Sequence, residues 1–196
     1  MQLQPGDLVL NGKYQIERLL GEGATAEVYL ANQTRLKLRR ALKILRRDRD
    51  SVGSTEVRDY RERFTVEAQL QASFSGHPRI AQVFDLDAQA ESPVLVMEWA
   101  EGGSLQQEID RAAGRGTVIT VARCAAVLTD IADGLAALHA AGYVHRDVKP
   151  SNVLLDRDGR ARISDLGLAQ TPQTVDRSDG RGHLPHPGTA GYMSPE

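Results

Sequence analysis

The sequence predicts an α+β fold, with a β-rich front half over residues 1–100 and a mostly helical back half over residues 101–196. Three observations carry this. Short apolar runs of strand length, punctuated by glycine, fill the first half. A breaker, Glu101-Gly102-Gly103-Ser104, follows them. Beyond it lies the most apolar long segment, with its strongest helical periodicity over Val121 to Ala140.

The elements follow in order. Tyr14–Leu20 and Ala26–Ala31 read as strands flanking the glycine turn Gly21-Glu22-Gly23, and Ala41–Leu45 reads as a third. Residues 46–56 are charged and read as an exposed loop. Val57 to Phe74 reads as a helix, with Phe64, Leu70 and Phe74 at helical spacing, ended by His77-Pro78. Ala81–Leu86 and Pro93–Met97 complete five strands. Ser104 suits the N-cap of a short helix. In the long helix the apolar face reads as Ala125, Leu128, Ile131, Leu135 and Leu138, with Cys124 a buried thiol. Two short strands, Asn152–Leu155 and Arg160–Ile163, are joined by the turn Asp156-Arg157-Asp158-Gly159. Residues 170–190 have no periodicity and read as a long loop.

Composition narrows the class. The 196 residues carry 24 Lys and Arg against 26 Asp and Glu, so no basic excess argues for nucleic acid and no acidic tail for a solvating segment. One cysteine excludes an intrachain disulfide framework and fits a reducing, cytoplasmic compartment. The N-terminal residues have neither the basic start nor the apolar stretch of a signal peptide. Arg123, Asp130, Asp133 and His139 interrupt the segment Thr117 to Gly142, so it does not read as a membrane span.

Several residues carry chemistry. Gly21 and Gly23 let backbone amides approach phosphate oxygens, although a glycine pair between strands also makes a plain hairpin. A dinucleotide-binding fingerprint is disfavoured, because that motif opens a helix and this one opens a strand. Lys43 lies inside an apolar strand. It either meets phosphates, held by Glu67 of the following helix, or snorkels to water. The strongest signal is His145-Arg146-Asp147-Val148-Lys149-Pro150-Ser151-Asn152. Asp147 can accept or orient a hydroxyl proton, and Lys149 can stabilise phosphate charge. Asn152 and Asp165 offer oxygens to a hard cation.

On these motifs the chain resembles the eukaryotic-type protein kinase family, in the flavour of its bacterial serine/threonine branch. The resemblance runs from Tyr14 to the last residue. It implies a five-stranded antiparallel N-lobe with one main helix over residues 1–100, and an incomplete, mostly helical C-lobe over 101–196. It implies ATP and Mg²⁺, with Gly21, Glu22, Gly23 and Val28 in the glycine-rich loop and Lys43 paired with Glu67. Met97 is similar to the gatekeeper. Backbone groups of Glu98 and Ala100 are implied to bind adenine, and Val28, Ala41 and Leu154 to sandwich it. Asp147 and Lys149 become the catalytic pair, Asn152 and Asp165 the metal ligands, and Thr189 a bridge between Asp147 and Lys149. Lys149 implies Ser/Thr hydroxyls of protein substrates. Arg146 is implied to read a phosphate on the activation segment, with Thr171, Thr174 and Ser178 as candidate acceptors among residues 171–189.

The pattern departs in places. Ala26 replaces a third glycine, Leu166 replaces Phe in Asp165-Leu166-Gly167, and Gln71 stands where an apolar residue is usual. The family's helical lobe continues past the motif that Ser194-Pro195-Glu196 resembles. The expectation is therefore a fragment whose long helix exposes apolar surface. The alternative function is a truncated or pseudokinase-like module that binds nucleotide or a partner without transfer.

Overall fold

A computed structural model describes residues 2–23, 25–46, 55–166 and 190–192. The expected loops over 46–56 and 170–190, the phosphate acceptors Thr171, Thr174, Ser178 and Thr189, and Ser194-Pro195-Glu196 lie wholly or largely outside the described residues. The chain forms two compact units, Met1–Ser73 with Gln82–Trp99, and Phe74–Ala81 with Ala100–Glu196.

The first unit is an antiparallel sheet in the order β1-β2-β3-β4-β6-β5. Its strands are β1 (Leu8–Val9), β2 (Tyr14–Glu22), β3 (Ala26–Gln33), β4 (Leu38–Leu45), β5 (Val83–Asp87) and β6 (Val94–Met97). The period-two alternation of strands splits the apolar residues between two faces. Tyr14, Ile16, Tyr29, Ala31, Leu42 and Val96 pack on one face, with Leu3, Val9 and Leu10 laid against them. Ala41, Leu45, Leu95 and Met97 pack on the other against Phe64 and Ala68 of α1 (Thr55–Ser73). Every residue of β6 is buried because both faces are covered, which explains its unbroken apolar run.

The two-residue β1 was not among the expected strands. Its signal was the Asn11-Gly12 pair, which forms a hairpin turn with both residues at positive φ (55° and 78°) and Lys13 N–H donating to Leu10 O at 3.1 Å.

The second unit holds α2 (Leu105–Gly114), α3 (Val121–Ala140) and a sheet in the order β7-β8-β9, made of Gly103–Ser104, Val153–Leu155 and Ala161–Ile163. Ser104 caps α2 through a capping box, accepting from Gln107 N–H at 3.2 Å while its own N–H donates to Gln107 Oε1 at 3.1 Å. Asp156 Oδ1 accepts from the N–H groups of Asp158 and Arg160, closing the β8–β9 turn.

The buried stripe of α3 differs from the expected apolar face. Val127, Asp130, Gly134 and Leu138 are buried, whereas Ala125 is exposed and Leu128 is 63% exposed. Cys124 is also exposed, contrary to expectation. Spacings of three and four before Val127 reach both Cys124 and Arg123, and the structure turns Arg123 inward, partly buried, and leaves Cys124 outside. Arg123 is engaged there, donating from Nε and Nη2 to Glu108 at 2.9 and 2.7 Å and from Nη1 to Gly159 O at 2.6 Å.

Asp130 explains the choice of stripe. Its carboxylate accepts from Arg160 Nη2 at 2.6 Å, Arg160 Nε at 3.0 Å and Ala161 N–H at 2.9 Å, with Arg79 Nε at 3.2 Å. Gly134, one turn on, admits the Arg79 carbonyl so closely that a Cβ would stand 2.8 Å from its oxygen. The segment Phe74–Ala81 is held from the other side by β9, through Ile163 N–H to Arg79 O and Ala81 N–H to Ile163 O, both at 2.9 Å.

Arg160 holds Asp130 below the usual carboxylate range. A carboxyl group depressed on folding stabilises above its unfolded value, about 3.9, and this contribution is lost as pH falls through the lower folded value. Asp130→Ala should lower stability by about 2 kcal/mol in urea denaturation at pH 7, because it leaves the buried Ala161 N–H and the largely buried Arg79 guanidinium without their acceptor, while the exposed Arg160 turns to water. A loss below about 0.5 kcal/mol would show that the carboxylate does not organise this unit.

Candidate active site

Each unit carries part of the constellation. In the first, the register sets Val28 and Leu95 opposite Lys43, and Met97 opposite Ala41. Directly paired residues, and residues two apart, share a sheet face. Val28, Ala41, Lys43 and Met97 therefore line one side, the side against which α1 packs. On α1, Phe64, Glu67, Ala68 and Gln71 recur at helical spacing and are all buried. That spacing brings Glu67 Oε1 to 2.6 Å from Lys43 Nζ, both side chains largely buried. Of the two readings left open for Lys43, the geometry is that of the carboxylate-held ammonium.

The glycine turn joins β2 to β3, with Gly23 N–H donating to Ala26 O at 2.8 Å. A Cβ at Gly21 would meet no atom within 4 Å, so the turn leaves open space beside its backbone. Arg46, which the sequence reading did not single out, anchors this turn. Its N–H donates to Thr25 O at 2.8 Å, and its guanidinium bridges Glu22 on one strand and Glu27, at 3.3 Å, on the other. Glu27 accepts from the hydroxyl of Tyr29, a fully buried side chain that also accepts from Leu3 N–H at 3.1 Å. The signal available was a cation one residue past β4, facing a turn with a carboxylate on each flank. Glu98 N–H donates to Gln82 O at 2.9 Å.

In the second unit, the segment between α3 and β8 carries the other groups. Lys149 Nζ lies 2.8 Å from Asp147 Oδ2. Asn152 sits in a short 3₁₀ turn, Pro150–Asn152, and its Nδ2 donates to Asp147 O at 2.9 Å and Oδ2 at 3.0 Å. With its nitrogen so committed, the amide presents its oxygen to other partners. Asn152 O accepts from Ser164 N–H and Oγ–H at 2.9 and 3.1 Å, which fixes the residue preceding Asp165. Asp165 and Arg146 adopt positive φ, 62° and 66°, a sparse region for residues other than glycine. Leu154 is half-buried on β8, and Leu166 is 1% exposed. Ala100 O accepts from Gly103 N–H at 3.1 Å.

Among the described residues no group of three or more His, Cys, Asp or Glu side chains gathers to hold a metal alone. The oxygens of Asn152 and Asp165 suit a hard cation that completes its shell with phosphate and water, which is how magnesium is usually bound.

Sequence comparison agrees with this arrangement. Residues 14–196 match the protein kinase domain. The chain belongs to the protein kinase family, and its relatives include serine/threonine kinases of bacterial type. It is 34% identical to serine/threonine-protein kinase pkn2 of Myxococcus xanthus, over 99% of this chain and 22% of that protein. It is 36% identical to the probable serine/threonine-protein kinase pknA2 of Bifidobacterium longum, over 96% and 24%. It is 35% identical to serine/threonine-protein kinase PknL of Mycobacterium tuberculosis, over 96% and 44%. The chain thus spans less than half the length of these relatives.

His145 is buried at the centre of the second-unit network. Its Nδ1 accepts from Asp147 N–H at 3.3 Å and its Nε2 faces Ser164 O at 3.2 Å, an arrangement that requires the neutral Nε2–H tautomer. Burial pushes its pKa below the ordinary histidine value. Below about pH 6.5 the unfolded ring binds a proton that the folded ring refuses, so stability falls as pH drops through that window. Long-range ¹H–¹⁵N spectra should show the Nε2–H tautomer with a midpoint below 6.5. A midpoint at or above it, or an Nδ1–H ring, would contradict the network.

Proposed function

We propose that the chain is the ATP-binding and catalytic portion of a protein kinase that phosphorylates serine and threonine hydroxyls of protein substrates. The observation that carries this is the carboxylate of Asp147, held by Lys149 Nζ at 2.8 Å and Asn152 Nδ2 at 3.0 Å. We assign residues 1–100 as the N-lobe and 101–196 as a partial C-lobe.

In this reading Lys43, held by Glu67, anchors the α- and β-phosphates, and the backbone of Gly21, Glu22 and Gly23 covers them. Val28, Ala41 and Leu154 pack on adenine. Its polar edge meets Glu98 and Ala100 through Glu98 O and Ala100 N–H. Asp147 orients the acceptor hydroxyl and receives its proton as the oxygen attacks the γ-phosphorus. The bond to the β-phosphate oxygen breaks and ADP leaves. Lys149 offsets charge on the transferring group. Asn152 and Asp165 would hold Mg²⁺, which would supply neutralising charge to the phosphates. Serines and threonines within 171–189 are proposed as sites of autophosphorylation. Among the described residues no helix is long and apolar enough to cross a membrane. A reducing, cytoplasmic setting suits the exposed thiol of Cys124.

The competing reading, binding without transfer, is separated by one variant. Asp147→Asn should retain Mg-ATP binding and lose phosphoryl transfer to a generic protein substrate by roughly 10²–10⁴-fold. Equal turnover in both proteins sinks the assignment of Asp147. A wild-type chain that binds Mg-ATP but transfers nothing favours the binding module.

A further inference from the structure

At one end of the first unit, two turns flank an open cleft of about 420 Å³. One is the Leu10–Lys13 turn between β1 and β2, and the other is Thr34–Lys37 between β3 and β4. The volume lies within the range of small-ligand and side-chain pockets. Its walls are tied together. Thr34 N–H donates to Lys13 O at 3.0 Å, Thr34 Oγ1 donates to Gly12 O at 2.9 Å, and Lys37 N–H donates to Gln33 O at 2.8 Å. The backbone of both turns is therefore fixed before any group enters the cleft.

Its electrostatics are one-sided. Among the described residues no acidic side chain lines it. Between Thr34 and Arg40 the hairpin carries Arg35, Lys37, Arg39 and Arg40 and no acid, in a chain whose net charge is −2. The cations around the cavity divide into two sets. Lys13 is spent on Asp85 at 2.5 Å, Arg39 on Glu17 at 3.0 Å and the Trp99 ring, and Arg40 lies over the Phe84 ring at 3.9 Å. Arg35, which lines the cavity, and Lys37 beside it make no ion pair among the described residues. Next to them Leu36 and Leu38 are 62% and 45% exposed.

We infer that this cavity is a docking site for an acidic protein segment: an anionic side chain, carboxylate or phosphorylated, enters between the turns toward Arg35 and Lys37, and an adjoining apolar side chain rests on Leu36 and Leu38. Charge complementarity argues for the anion. The exposed leucines argue for a peptide over a free anion, which has nothing to place on them. Concavity argues against a bilayer, which presents no single group to enter a pocket. A nucleic acid would seek an aromatic face, and those of Trp99 and Phe84 are already covered by the protein's own arginines.

The test is fluorescence anisotropy on the full chain. The probe is a labelled peptide with a phosphoserine–leucine pair flanked by glutamates, compared with a counterpart that keeps the leucine and carries serine for phosphoserine and glutamines for the glutamates. The acidic peptide should bind at least about tenfold tighter, with an affinity that falls as salt rises. Arg35→Glu with Lys37→Glu should abolish that preference while leaving circular dichroism and Mg-ATP binding unchanged. Leu36→Ser should weaken both peptides without altering the salt dependence. Equal binding of the two peptides overturns the inference, as does unchanged binding to the charge-reversed variant. So does co-sedimentation with phosphatidylserine vesicles or retention of single-stranded RNA in the absence of peptide binding. None of these outcomes bears on the kinase reading, which the Mg-ATP measurement follows separately.

Discussion

The second unit is organised around one buried carboxylate. Asp130 receives donors from Arg160, Ala161 and Arg79, so a single side chain joins α3 to the β8–β9 hairpin and to the segment Phe74–Ala81. An unpaired carboxylate inside protein is strongly unfavourable, and here its cost is offset only when all three segments are in place. The interaction therefore acts less as an added increment of stability than as a condition on the arrangement. The loop bearing Asp147, Lys149 and Asn152 is strung between α3 and β8, so its two ends are set by elements that Asp130 ties together.

Within that frame the loop is held by main-chain contacts more than by packing. His145 bridges Asp147 N–H and Ser164 O, and Asn152 O takes both donors of Ser164. The segment leading to Asp147 and the end of β9 leading to Asp165 are thereby stitched to each other just before each acidic residue is presented. The first unit solves the equivalent problem differently. Lys43 is fixed by one ion pair from a helix, and the glycine turn by the Arg46 guanidinium bridging Glu22 and Glu27. The loop is thus fixed at its two ends by neutral hydrogen bonds, and the glycine turn by charge pairing at a partly open edge.

The residues that carry chemistry were legible because their roles are compressed into short strings. Asp147, Lys149 and Asn152 fall within six positions, and local turn geometry alone brings them together. The Lys43–Glu67 pair needed one further step, that helical spacing places Glu67 on the face carrying Phe64 and Ala68. What was not legible required knowledge of neighbours. Asp130 reads as an interruption of an apolar helix, yet it anchors the buried stripe. Leu128 and Cys124 read as core and are exposed, because periodicity reports that a helix has faces but not which face another element covers. β1 escaped because two residues are too few for alternation to register, although Asn11-Gly12 announced the turn beside it.

Gly134 gives this architecture a further property. Because the Arg79 carbonyl occupies the space a side chain would take, α3 and the segment Phe74–Ala81 meet backbone to backbone, while Ile163 N–H binds the same carbonyl from β9. Three chain segments converge on a single oxygen, and none can peel away without leaving the other two with an unfilled gap or an unmet donor. At position 134 even one methyl group would act as a wedge between three segments that share one oxygen.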